Sequence, residues 1–66
     1  MIGHVKAYDP RRGVGVLTRE DGRDVAVFVS EVERAGLSTL VVGQRLTFAV
    51  QTDRVSRRSF AVRLEL

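Results

Sequence analysis

Apolar residues along this chain mostly alternate with polar ones and do not recur at helical spacing, so the pattern predicts an all-β molecule of short strands. A first strand runs from Ile2 to Asp9 and ends at Pro10-Arg11-Arg12-Gly13, where proline and glycine supply turn geometry. The second covers Val14 to Arg19. Asp21-Gly22 suits a tight two-residue hairpin turn, which pairs a third strand, Asp24 to Val29, antiparallel with the second. Ser30 and Glu33 have the spacing of a capping box, predicting one short helical turn that Gly36 ends in the left-handed conformation. Leu37 to Gly43 reads as a crossing loop. A fourth strand, Gln44 to Gln51, places Leu46, Phe48 and Val50 on one face, and Thr52 to Arg58 forms a polar, mobile loop. The last strand, Ser59 to Glu65, turns Phe60, Val62 and Leu64 inward and Ala61, Arg63 and Glu65 outward, with Phe48 and Phe60 in the core.

Composition narrows the function more by exclusion than by assertion. A chain of 66 residues fits one domain, residues 1–66, around one compact core. With 44% hydrophobic and 29% charged residues it is globular rather than disordered, and no run is long and apolar enough to span a bilayer. Met1 is followed by Ile2, Gly3 and His4 rather than by a basic and then hydrophobic stretch, so a cytoplasmic address is expected. The absence of cysteine removes disulfides, thiolate zinc sites and thiol nucleophiles together. A single histidine, His4, supports no metal site. The carboxylate pairs Asp21/Asp24 and Glu31/Glu33 lack a histidine or nucleophile nearby, and no helix follows Gly13 and Gly15 to cradle a phosphate. No catalytic residue, cofactor or small-molecule substrate is expected, and the chain is read as a binding protein rather than an enzyme. The net charge of +3 comes from ten arginines and one lysine against eight acids, a modest bias toward polyanions.

Several segments in order, Gly3-His4-Val5-Lys6, Arg12-Gly13-Val14-Gly15-Val16-Leu17, Asp24-Val25-Ala26-Val27-Phe28 and Gly43-Gln44, resemble the landmarks of a cold-shock domain. Ser30 to Leu37, with Ser38-Thr39-Leu40 after it, is similar to that family's connection between its third and fourth strands. The likeness spans nearly the whole chain. It implies a five-stranded antiparallel barrel of the oligonucleotide-binding class, whose second and third strands present a face to single-stranded RNA or DNA. The family's aromatic rings are mostly replaced. Its lysine-tryptophan-phenylalanine reads Lys6-Ala7-Tyr8 here, its glycine-phenylalanine-glycine-phenylalanine reads Gly13-Val14-Gly15-Val16, and its valine-phenylalanine-valine-histidine reads Val25-Ala26-Val27-Phe28. In the last loop, Ser56-Arg57-Arg58 stands where the family has glycine-proline-glutamine.

Period-two geometry sends Gly15, Leu17, Val25, Val27 and Val29 to the interior and Val14, Val16, Ala26 and Phe28 to the outside. The nucleic-acid contacts implied by the resemblance therefore fall on Lys6, Tyr8, Arg11, Arg12, Val14, Val16, Asp24, Ala26, Phe28, Arg57 and Arg58. Stacking one base on a ring is worth about 1–3 kcal/mol, so the loss of rings predicts weak, largely electrostatic binding. Two alternatives stay open. Tyr8 either meets a base or packs under the edge of the barrel, and the arginines either hold phosphates or simply solvate the surface. The aliphatic patch of Val14, Val16, Ala26 and Phe28 also suits a protein partner or a second copy of the chain.

Overall fold

The computed structural model describes residues 1–66. Five strands and one helix follow the chain: β1 (Ile2–Asp9), β2 (Val14–Arg19), β3 (Asp24–Phe28), α1 (Val29–Arg34), β4 (Arg45–Thr52) and β5 (Ser59–Glu65). They form a closed barrel in the order β1-β2-β3-β5-β4, with β4 returning to β1. The pairings are antiparallel as expected, except that β3 and β5 run parallel through Ala26 and Phe60. The interior is filled by Val5, Leu17, Val25, Val27, Leu46, Phe48, Ala61 and Leu64, with Val32 of the helix and Leu40 of the long loop closing over it.

Two of the turns take forms the sequence pattern did not specify. The β2–β3 hairpin has a three-residue loop, Glu20 to Gly22, instead of a two-residue turn: Gly22 donates to the Arg19 carbonyl at 2.9 Å and Arg19 to the Arg23 carbonyl at 2.7 Å. Only Gly22 of the three takes a positive φ, 86°, whereas a two-residue type I′ turn needs two such residues. The chain leaves β3 at Phe28, one residue early, so Val29 is not an inward strand residue but the first, half-buried residue of α1. Its N–H is held by the Gly13 carbonyl at 2.9 Å. The N-cap is therefore the extended Phe28, and the predicted Ser30–Glu33 capping box does not form, because Ser30 already lies inside the first turn. The other end matches expectation. Leu37 donates to Val32 and Gly36, at φ 78°, donates to Glu33, the paired bonds of a Schellman motif.

Two bulges set which side chains face out, because one extra residue in a strand reverses the in-out phase of everything beyond it. In β1, Val5 pairs with Leu17 and Ala7 with Val16, leaving Lys6 as the extra residue. Tyr8 thereby shares the inward phase with Gly15, its ring lying over the glycine and against the core. In β5, Thr47 pairs with Glu65 but Ala49 with Val62, so three steps along β5 match two along β4. Arg63 takes up the excess at φ 55°. This corrects the assignment of the last strand: Ala61, not Phe60, is fully buried, Leu64 still faces in, and Phe60 and Val62 turn to the half-buried outer wall.

Candidate nucleic-acid interface

Cross-strand partners share a face, so the registers of β1, β2, β3 and β5 define the outer wall row by row. Asp9, Val14 and Phe28 make one row, and Ala7, Val16, Ala26, Phe60 and Gln51 the next. Thr18 and Asp24 lie beyond, beside Lys6. Val14, Val16, Ala26 and Phe60 are half-buried and Phe28 is 44% exposed, so the apolar wall is open to a ligand. The Phe28 and Phe60 rings meet edge to face, 6.0 Å between centroids at 61°. Phe60 is the outer-wall ring that sequence reasoning misses, since strict alternation in β5 puts it in the core and Arg63 carries no mark of a left-handed residue. Tyr8, by contrast, is partly buried and packs against the core.

Charge is placed at both ends of this wall, and it is not equally available. Lys6 Nζ lies 2.8 Å from Asp24 Oδ2, while Thr18 Oγ1 donates to Asp24 Oδ1 at 2.9 Å. The Lys6 bond first, and the Thr18 bond next, hold the Asp24 carboxyl below the usual aspartate range. At the other end, Asp9 Oδ1 accepts from the Arg11 amide at 3.0 Å, and its Oδ2 lies 3.8 Å from Arg12 Nε. Arg11, Arg54, Arg57 and Arg58 take part in no ion pair. Asp53 pairs directly with none of these arginines; its carboxylate is turned to the loop's own backbone, where Oδ1 accepts from Val55 N–H at 2.8 Å. That bond, with help from Ser56, keeps its carboxyl below the usual range. Further bonds, Arg57 N–H to the Asp53 carbonyl at 2.8 Å and Asp53 N–H to the Arg58 carbonyl at 2.9 Å, close the loop on itself, with Arg57 at φ 59°.

The larger of the two surface grooves, about 350 Å³, is lined by Ile2, Gly3, His4, Arg19, Glu20 and Arg45 and contains none of the candidate residues. A wide apolar wall with cations at its two ends suits an extended polyanion with flat bases better than a small molecule.

A closed five-stranded barrel of the oligonucleotide-binding type is the class that this architecture defines. The family model of the "cold-shock" DNA-binding domain matches residues 1–64. A cold shock protein, CspA, of Rhizobium meliloti is 42% identical over 60 residues, covering 89% of this chain and 87% of that protein. A cold shock-like protein of Thermotoga maritima is 39% identical over 54 residues, covering 82% of each. The chain belongs to the cold-shock domain family, a class of single-stranded nucleic-acid-binding modules that bind rather than catalyse.

The Lys6–Asp24 pair yields a prediction of its own. Asp24→Asn releases Lys6 for a phosphate, so affinity for a single strand rises a few-fold at low salt and the log–log salt slope steepens by about 0.7. The pH dependence has a fixed sign. A lowered folded pKa means the carboxylate's stabilising contribution is present above the ordinary aspartate range and is lost as pH falls through the lowered value. Carboxyl NMR titration checks this, with Lys6→Met expected to move Asp24 back up toward ordinary values.

Proposed function

We propose that this domain binds single-stranded RNA or DNA on its outer wall, weakly compared with ring-rich relatives and with charge as the main source of affinity. The observation that carries the reading is the open apolar wall of Val14, Val16, Ala26 and Phe28, flanked by Arg11 and Arg12 at one end and by Arg57 and Arg58 at the other. Lys6 contributes once phosphate competes with Asp24 for it. Tyr8 supports the wall from below rather than stacking on a base. A cytoplasmic location, where such strands are met, goes with this reading.

Anisotropy titration of a labelled oligopyrimidine tests it. If three or four phosphates are neutralised, the log–log salt slope is about −2 to −3, and raising salt from 50 to 200 mM weakens binding roughly 20- to 60-fold. Absence of binding at the lower salt defeats the reading.

The exposure of Phe28 within a continuous apolar patch also favours a second reading, self-association through Val14, Val16, Ala26 and Phe28. Equilibrium sedimentation up to millimolar concentration distinguishes it: a monomer throughout removes the second reading and leaves the first.

A further inference from the structure

We propose that the bound strand lies along β3 and β5, with successive bases on Phe28 and Phe60 and phosphates on Arg54, Arg57 and Arg58, instead of across β1 and β2. This rests on the nucleic-acid reading above and says where on the wall the ligand runs.

Ring placement is the first argument. The chain has three phenylalanines, one tyrosine and no tryptophan. Phe48 is in the core and Tyr8 packs against it, so both rings on the outer wall belong to β3 and β5. The outward positions of β1 and β2, at Ala7, Val14 and Val16, offer no π-face at all. Ala26, the cross-strand partner of Phe60 and two residues before Phe28 on β3, is small enough to leave both rings uncovered. An interplanar angle of 61° tilts the two rings differently, so they suit two successive bases rather than one.

Charge placement agrees. The cation on β1, Lys6, is held by Asp24, and Arg12 stands close to Asp9. Arg54, Arg57 and Arg58 are unpaired, and Arg58 is two residues from Phe60. The parallel pairing of Ala26 with Phe60 sets this loop at the Asp24 end of β3, while Arg11 and Arg12 lie at the Phe28 end, beside Val14. From Asp24 to Phe28 is about 13 Å at ~3.3 Å per residue, which fits the low end of oligonucleotide-binding sites, about four nucleotides. The bulge at Arg63 is the structural cause, because it alone brings Phe60 outward.

The test uses the full chain and dT6. Amide shifts on titration are expected on β3, on β5 and in residues 53–58, with smaller changes in β1. Phe60→Ala weakens binding about tenfold at an unchanged salt slope, since one stacked base is lost. Phe60→Leu, which keeps the apolar packing, gives nearly the same loss and decides the matter if the alanine variant is unstable. Arg57→Ala with Arg58→Ala flattens the slope by about 1.4. Val16→Ala, which trims aliphatic surface and removes no π-face, costs several-fold less than Phe60→Leu. Shifts centred on β1 and β2, with Val16→Ala costing as much as Phe60→Leu, overturn the proposed path while leaving nucleic-acid binding intact. A wild-type chain that binds no dT6 at low salt overturns the nucleic-acid reading itself, and this path with it.

Discussion

Phe28→Ala weakens the binding of a short single strand by about ten- to a hundredfold, and the loss is nearly the same at low and moderate salt. A base stacked on one ring is worth about 1–3 kcal/mol, and each 1.4 kcal/mol is a factor of ten in affinity. Because no phosphate contact is removed, the salt slope stays at its wild-type value, which separates this variant from Arg57→Ala or Arg58→Ala. The fold survives: Phe28 is 44% exposed and its main aromatic neighbour is Phe60, so thermal stability falls only slightly. Phe28→Leu serves as the control for shape. If an apolar surface were sufficient, leucine would bind as well as phenylalanine; if a π-face is needed, it behaves like alanine. Substitutions at Phe28 and Phe60 are not additive, because the rings touch and removing either changes how the other is presented. Equal affinities of Phe28→Ala and wild type would show that the wall does not stack bases.

Much of the barrel could be read from alternation alone. The limits of β1, β2 and β5 fall where the pattern put them, and Gly15, Leu17, Val25 and Val27 face the interior as period two requires. These are local rules acting on local residues. The two bulges are different in kind. A five-stranded barrel must tilt and stagger its strands to close, and the extra residue that absorbs the stagger is chosen by partner strands distant in sequence. Lys6 and Arg63 have nothing in their side chains to announce that role, and Arg63 adopts a left-handed φ that glycine or asparagine would have signalled. The consequences reach the site. One bulge turns Tyr8 under the wall and the other turns Phe60 onto it, so the ring inventory of the surface depended on a feature absent from the pattern. The electrostatics were hidden for a related reason: Asp24 lies 18 residues from Lys6, and only the closed barrel brings them together. Asp53 was legible as a neighbour of the arginines, but not as a carboxylate committed to backbone N–H groups.

The same tight closure makes Gly3 the glycine at which an added methyl group would meet the nearest neighbour. Glycine-to-alanine changes stabilise by about 0.4–1 kcal/mol where the backbone can accept them, because the unfolded chain loses freedom. Here the opposite term wins. A Cβ at Gly3 would collide with the carbonyl oxygen of Thr18, and would stand 2.9 Å from Cε1 of the buried Phe48 ring. The ring belongs to the packed core, only 3% exposed, and the carbonyl belongs to the neighbouring strand, so neither can move without opening the β1–β2 seam. Overpacking of this kind costs about 1–3 kcal/mol, and with a backbone atom involved the upper half of that range is expected for Gly3→Ala. A chain of this size has about 3–10 kcal/mol of stability in total, so the melting temperature drops by roughly 10–20 °C. Thermal unfolding followed by circular dichroism measures it, and Phe48→Leu in the Gly3→Ala background isolates the ring's share. Partial recovery identifies the ring as one of the two obstacles, with the remaining deficit left to the Thr18 carbonyl, whereas an unchanged melting temperature for Gly3→Ala would mean that β1 can shift away from β2 at little cost.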